Sequence, residues 1–162
     1  MQPERMVETI RSSVVVDLPP DEAFSAFVER FDEWWPQAYT FSKESLQTIG
    51  IEAREGGFCY EIGPFGFRCD WGRVLEWSPP SKLRFAWHIS PNSAPDPDPE
   101  HASKVYVTFS PKEGNQNQTL VELEHSAIER HGEGGAQYRE ELASEYGWPY
   151  LLSAFQQRAR AA

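Results

Sequence analysis

The sequence of 162 residues is poor in basic side chains and in long apolar runs. Only 15 Lys and Arg stand against 25 Asp and Glu, so the formal net charge is −10. Nucleic acids and anionic membranes both attract clustered cationic side chains, so this deficit disfavours both partners. No apolar run approaches the ~20 residues of a membrane span. The polar segment 1–11 has no signal-peptide core, and we therefore expect a cytoplasmic protein.

Cysteine occurs only at Cys59 and Cys69, on either side of a predicted turn at residues 63–66. Two cysteines alone cannot form a structural zinc site. The nearly symmetric spacing allows the two residues to lie opposite each other in a hairpin. In the cytosol such a pair is usually two reduced, packed thiols, and a redox pair is the alternative.

Motifs for cofactor binding and for nucleophilic catalysis are also absent from the sequence. There is no nucleophile elbow, phosphate-binding glycine loop or dinucleotide fingerprint, and the glycines of residues 132–135 have no Lys-Ser/Thr after them. The acidic and histidine residues between Glu124 and Glu133 fit no standard metal spacing, because strand alternation puts Glu124 and His125 on opposite faces. We therefore expect no metal and no cofactor.

The most informative segment that is present is residues 70–89, in which two strand-like runs flank a double proline. Pro79 and Pro80 have no amide donor, so they belong in the connection between the runs. The second run alternates with the period of a half-buried antiparallel strand. Its apolar face consists of Leu83, Phe85, Trp87 and Ile89.

Patterning along the chain predicts a single α+β domain over residues 1–162, with residues 1–8 as a flexible N-terminus and 91–102 as a Pro-rich surface loop. Helices are predicted over 22–31 and 136–146, and a last one begins near Pro149. Strands joined by short turns favour one antiparallel sheet, whose apolar face the last helix can cover. The predicted strands are 9–17, 45–52, 58–62, 67–77, 82–89, 104–111 and 120–130.

The order of several short motifs resembles the SRPBCC superfamily with its START-like, or helix-grip, fold. Within it, the chain is most similar to the family named after the activator of the heat-shock-90 ATPase. The motifs that carry the resemblance are Pro19-Pro20-Asp21-Glu22-Ala23-Phe24, Trp34-Trp35-Pro36, Gly56-Gly57, residues 72–80 with Leu83, Phe85 and Trp87, Leu123-Glu124-His125, His131-Gly132-Glu133, and Gly147-Trp148-Pro149 with Leu151, Leu152 and Phe155.

This resemblance implies a curved antiparallel sheet of about seven strands wrapped around a long C-terminal helix, with two short helices after the first strand. It also implies a cavity between the sheet and that helix. Relatives bind lipids, sterols, polyketides or other apolar molecules, and some are cyclases or aromatases. The eukaryotic namesake stimulates a chaperone ATPase, but there the fold is one domain of a longer protein.

The predicted cavity lining combines strand alternation with the apolar stripe of the last helix. Ligand pockets and ordinary cores are both mostly apolar, so the alternative is that these side chains simply fill the core. The predicted lining residues are Trp35, Tyr60, Trp71, Phe85, Trp87, Val107, Leu123, His125, Trp148, Leu152 and Phe155.

Two polar residues are candidate catalytic groups. His125 lies on the apolar face of a predicted strand, so it is either a satisfied structural imidazole or a donor or general acid–base in the cavity. The face of residues 58–62 is ambiguous, because apolarity turns Tyr60 inward whereas the family pattern turns Glu61 inward. We expect both near the cavity rim. An inward Glu61 would be a buried carboxylate with a raised pKa.

Three functional hypotheses follow, and the first is favoured. The chain is a non-enzymatic protein that binds a small apolar or aromatic molecule, or a cyclase- or hydrolase-like enzyme that uses His125 with Glu61, or a chaperone-binding module. A chaperone partner is the least favoured, since the domain is acidic and stands alone. Exposed edge strands leave a homodimer open.

Overall fold

The computed structural model describes residues 7–159, so most of the expected flexible N-terminus, residues 1–8, lies outside the described residues. Seven strands form one sheet in the order β1-β7-β6-β5-β4-β3-β2, and every adjacent pair is antiparallel. This confirms the predicted fold class. The strands are β1 (Ile10–Val16), β2 (Thr48–Ile51), β3 (Phe58–Ile62), β4 (Arg68–Ser78), β5 (Lys82–Trp87), β6 (Ser103–Lys112) and β7 (Asn115–Ser126).

Four α-helices in the described range cover the inner face of this sheet: α1 (Pro20–Glu29), α2 (Phe31–Trp34), α3 (Gly135–Ala143) and α4 (Trp148–Arg158). Proline at the first position of α1 suits the fixed φ of that residue. α2 ends before Trp35, because Trp35 precedes Pro36 and helical backbone angles are disfavoured for a residue that precedes proline. No helix within residues 7–159 is long and apolar enough to cross a membrane.

β2 begins only at Thr48, because a 3-10 turn occupies Lys43–Ser45, and the boundaries of β5 and β7 also differ from the prediction for local reasons. β5 ends at Trp87, and Ile89 forms only an isolated bridge to Pro95. β7 begins at Asn115, because the turn before it needs only Glu113 and Gly114, which has a φ of +81°. The strand ends at Ser126, since Ala127 adopts the left-handed conformation with a φ of +59°. A 3-10 turn follows over Ile128–His131.

The C-terminal helical segment is divided into α3 and α4 by a tight connection at Gly147. A Cβ atom at this position would lie 2.0 Å from the carbonyl oxygen of Leu142, so the approach of the two helices requires glycine. The close contact sets where α4 begins. The side chains that α4 buries are the predicted stripe of Trp148, Leu151, Leu152 and Phe155.

The two cysteines do not oppose each other in the β3–β4 hairpin. Cys59 pairs with Gly72 and Cys69 pairs with Glu61, because the hairpin sets Ile62 opposite Arg68. The register also shifts between Cys59 and Tyr60. Both thiols are free. Burial raises the pKa of the Cys59 thiol well above its usual value, and this keeps the thiol protonated.

Candidate functional site

A cleft of about 390 Å³ lies between the sheet and the α3–α4 end of the helical layer. One wall is the segment 35–43, which we call the rim loop, and the opposite wall comes from α3, the α3–α4 connection and α4. Strands β2 to β5 form the floor. The apolar lining includes Trp35, Ile49, Trp71, Trp87, Leu142 and Leu151, and the ionisable lining comprises Tyr39, Lys43, Glu61, Tyr138, Glu141 and Tyr146.

Stacked aromatic rings form one side of the cleft. The Trp35 ring stacks on Trp71, with centroids 5.8 Å apart and planes 20° apart, and the Phe31 ring contacts both, at 4.9 Å from Trp35 and 5.6 Å from Trp71. Trp87 lies 6.2 Å from Trp35 at a tilt of 55°. The indole Nε1 of Trp71 is buried and has no hydrogen-bond partner among residues 7–159.

A hydrogen-bonded chain fixes the wall between Trp87 and α3. Trp87 Nε1 donates to the Tyr138 hydroxyl at 2.8 Å, and that hydroxyl donates to the Ile89 carbonyl oxygen at 2.8 Å. Burial raises the pKa of Tyr138 to about 12, so the hydroxyl keeps its proton near neutral pH. Tyr138 therefore has its donor and one acceptor site occupied by the protein itself.

Glu61 is the deeply buried ionisable group of the cleft, with 2% of its surface exposed. Its two carboxylate oxygens accept the backbone N–H groups of Phe41 at 3.0 Å and Ser42 at 2.9 Å. Because Phe41 and Ser42 belong to the rim loop, these two hydrogen bonds connect the rim loop to β3.

His125 lies outside the cleft lining, in a buried hydrogen-bonded chain. An indole N–H can only donate, so Trp148 Nε1 fixes His125 Nδ1 as an acceptor at 2.9 Å. The proton of the neutral ring then sits on Nε2, which donates to Ser103 Oγ at 2.6 Å, and Ser103 in turn donates to His131 Nε2 at 2.7 Å. Burial lowers the pKa of His125 to about 3 and that of His131 to about 4, so both rings are neutral.

The structure brings only part of the predicted lining together. Trp35, Trp71 and Trp87 line the cleft with Glu61, whereas His125 and Glu61 have separate partners and share no hydrogen bond. The remaining predicted positions on the inner face belong to the buried core and not to the cleft lining: Phe85, Val107, Leu123, Trp148, Leu152 and Phe155.

The expected place of Tyr60 at the rim is corrected by the structure. The burial pattern of β3 turns Cys59 and Glu61 towards the core, so Tyr60 points to the outer face. There its ring lies 4.7 Å from the Arg68 guanidinium carbon, in a cation–π contact. The family pattern, and not the apolarity of Tyr60, gave the correct face for this strand.

Sequence patterning missed the rim loop and the α3 side of the cleft. The rim loop contains the 3-10 turn Gln37–Tyr39 and ends at the start of a second one, Lys43–Ser45, and it has no apolar periodicity that could have placed it. The spacing of Tyr138 and Leu142 puts them on one face of the predicted helix, and this spacing is the one sequence signal for the α3 side of the cleft. Within the described part of the chain, no group of three or more His, Cys, Asp or Glu side chains is arranged to hold a metal ion.

An antiparallel sheet closed over a C-terminal helix, with a cleft between them, defines a START-like, helix-grip protein. Residues 17–159 match the family described as activator of Hsp90 ATPase homolog 1-like protein. The match covers most of the chain, so the chain belongs to this family, and the resemblance inferred from the motifs is confirmed. No curated protein sequence matches the chain significantly.

Solved structures with the same fold include two proteins with informative names. The anthrahydroquino-gamma-pyrone synthase Txn09 is 31% identical, with 96% of this chain and 99% of that chain covered and a TM-score of 0.65. CalC, a self-sacrificing resistance protein from Micromonospora echinospora, is 28% identical over 93% of both chains, with a TM-score of 0.62. Protein NE0264 from Nitrosomonas europaea shares the fold at 16% identity, with 92% of both chains covered and a TM-score of 0.61.

Proposed function

We propose that the chain binds a small apolar or aromatic molecule in the cleft between the sheet and the α3–α4 end. The observation that carries the proposal is the tryptophan-walled opening of about 390 Å³ beside the buried core. Small-molecule sites are typically concave, mostly apolar and of about 300–1,000 Å³, with a few placed polar groups. Glu61 and Tyr138 are polar groups of this kind.

The similar solved structures support a small-molecule ligand. One is named as a synthase of an anthrahydroquino-gamma-pyrone and another as a resistance protein, and both are similar along nearly their whole length. A polycyclic aromatic molecule suits a cleft with indole walls, because flat rings are stabilised by offset stacking and edge contacts with indole rings.

The proposal is tested by titrating the protein with 1-methoxynaphthalene and following tryptophan fluorescence and heat. We expect saturable binding of one molecule per chain. Replacing Trp87→Ala should weaken binding by at least about tenfold, because a wall ring is lost. Trp77→Ala is the matched control, since Trp77 packs on Phe24 and does not line the cleft. Non-saturable quenching, or equal effects of the two substitutions in folded proteins, would refute the proposal.

A cyclase-like activity is the second candidate, and the specific observation that favours it is the 31% identity to a named synthase. The sequence hypothesis assigned such chemistry to His125 with Glu61. The hydrogen bonds of His125 to Ser103 and Trp148 instead favour a structural role for that ring. An enzyme of this kind would depend on Glu61, and mass spectrometry of a recovered aromatic polyketide would distinguish conversion from binding alone.

A further inference from the structure

We propose that the cleft selects aromatic ligands whose polar end donates a hydrogen bond to the Glu61 carboxylate, with a protonated amine preferred over a neutral hydroxyl. This inference rests on the proposed binding function and specifies the chemistry of the ligand. It assigns to Glu61 the role of a specificity-determining residue, and it predicts that anionic ligands are rejected.

The buried carboxylate of Glu61 has no counter-ion among residues 7–159. Glu61 is almost fully buried, and within residues 7–159 it takes part in no salt bridge. Buried charges are normally paired, because removing a charge from water is costly unless another group compensates it. Two backbone N–H groups supply partial positive charge here, but no full positive charge.

Glu61 also has unused capacity to accept hydrogen bonds from a molecule in the cleft. An ionised carboxylate offers about four lone-pair sites. Phe41 and Ser42 occupy one site on each oxygen of Glu61. A donor on the ligand can therefore bind without displacing either backbone contact, and the rim loop can stay in place.

Two neighbouring polar side chains, Tyr138 and Thr40, already have hydrogen-bond partners within the protein. The Tyr138 hydroxyl both accepts and donates within the protein. Thr40 Oγ1 likewise donates to the Gln37 carbonyl oxygen and accepts from the Lys43 N–H, each at 2.8 Å. Among these groups, Glu61 is the one with free capacity and full charge.

The charges and rings of the lining also favour a cation. The charged side chains are two carboxylates, Glu61 and Glu141, against the single ammonium of Lys43, which is exposed at the rim. Indole faces attract cations through their quadrupole, and Trp35, Trp71 and Trp87 line the same space. Two features of the lining favour a ligand acceptor instead, namely the Lys43 ammonium and the Nε1 of Trp71, which has no partner among residues 7–159, and the test includes that outcome.

The test compares four probes that share one naphthalene ring. These are 1-naphthylmethylamine (a cationic donor), 1-naphthol (a neutral donor), 1-methoxynaphthalene (an acceptor without a donor) and 1-naphthoate (an anion). By calorimetry at pH 7, the wild-type protein should bind the amine at least about tenfold more tightly than the methoxy compound, with the naphthol between them. The naphthoate should bind more weakly than all three.

Glu61→Gln should reduce the advantage of the amine over the methoxy compound to about twofold or less, because the negative charge is gone. Lys43→Gln is the matched control at the same rim, and it should keep the order and slightly strengthen amine binding. If Glu61→Gln does not fold, the order of the four probes on the wild type still decides the question.

Two failures are distinguishable. Binding of the methoxy compound as tightly as the amine, or retention of the amine preference in folded Glu61→Gln, overturns this inference and leaves the proposed function standing. Methoxy binding tighter than naphthol would point to Trp71 as the selecting group and would also overturn it. Absence of binding for every probe overturns the proposed function itself.

Discussion

The two ends of the interior are both built from aromatic rings, yet they are packed to different extents. One end, which we call the filled end, has an opening of only about 140 Å³ beside Trp34 and Phe155, whereas the other contains the larger cleft. At the filled end Phe27 is in contact with four rings, at centroid distances from 4.8 Å to Trp34 up to 6.3 Å to Phe31. The four rings come from α2, α4 and β6, and Phe27 itself belongs to α1. At the cleft end Trp35, Trp71 and Trp87 leave an opening of about 390 Å³.

The difference lies in what covers the sheet at each end. Helices cover the filled end, so side chains from several elements interdigitate there. The rim loop covers part of the cleft end, and it is held by backbone contacts to Glu61 and by the Tyr39 hydroxyl, which donates to the Tyr146 carbonyl oxygen at 2.8 Å. Composition alone therefore does not distinguish a core from a pocket. Whether a helix or a loop covers the sheet decides whether the aromatic side chains pack closely or leave a pocket.

The two ends also differ in the hydrogen bonding of a buried indole N–H group. At the filled end Trp34 Nε1 donates to the Phe27 carbonyl oxygen at 3.0 Å. At the cleft end Trp71 Nε1 has no partner within the described part of the chain. Buried indole N–H groups usually find a partner, so the cleft end retains hydrogen-bonding capacity that the filled end has used.

The largest expected effect is the loss of stability when either of two adjacent leucines of α4 is truncated to alanine. Only one of the two lines the cleft, so the pair compares the two ends of the interior. Leu152 is fully buried away from the cleft, whereas Leu151 lines it. We expect Leu152→Ala to lower the free energy of unfolding by about 4 kcal/mol and Leu151→Ala by about 2 kcal/mol, since an existing opening leaves fewer contacts to lose. Urea unfolding measures both values. Equal losses would mean that the cleft is packed as tightly as the core.

The next largest effect is expected at His125, whose ring packs against Trp87 and Trp148 at centroid distances of 5.4 and 5.8 Å. Its pKa in the folded protein is lowered to about 3, so the unfolded chain binds a proton at a higher pH than the native state does. Stability should therefore fall as the pH drops from about 6.5 towards 3, by at most about 1.4 kcal/mol per pH unit from this residue.

His125→Gln tests this account of acid sensitivity. At pH 7 the substitution should cost about 1–3 kcal/mol, because the Trp148 and Ser103 partners lose their geometry. Between pH 6 and 4, however, the variant should lose stability less steeply than the wild type. Parallel stability curves over that interval would show that His125 does not contribute to the acid response.

The sequence predicted the sheet well, because strand alternation reports directly which face is buried. Leu83, Phe85 and Trp87 alternate without interruption, and all three are buried. It predicted the cleft poorly for two physical reasons. The register shift at Cys59 and Tyr60 depends on strand pairing, and the rim loop is placed by long-range contacts to Glu61.

His125 illustrates the same limit for a single residue. Alternation correctly predicted a buried imidazole, and buried polar groups need partners. Those partners, Ser103 and Trp148, are 22 and 23 residues away in the sequence, and no local pattern links them to the histidine. Local periodicity therefore gives the face of a side chain, whereas the hydrogen bonds that decide its role depend on tertiary contacts.

The smallest expected effect is at Tyr39, where the rim loop meets the α3–α4 connection. Tyr39→Phe removes the hydroxyl bond to Tyr146 but keeps the ring, which stacks on Tyr150 with centroids 5.5 Å apart. Both groups are exposed and can bind water instead, so stability should fall by only about 0.5 kcal/mol. The bond joins the two walls of the cleft. Stopped-flow fluorescence should therefore show that 1-methoxynaphthalene leaves the variant at least about twofold faster than it leaves the wild type.

Tyr150→Phe is the control, because its hydroxyl makes no hydrogen bond within residues 7–159 and its ring is retained. A release rate that is the same in Tyr39→Phe as in this control would mean that the rim loop does not gate the cleft, and that the open end is as static as the filled one.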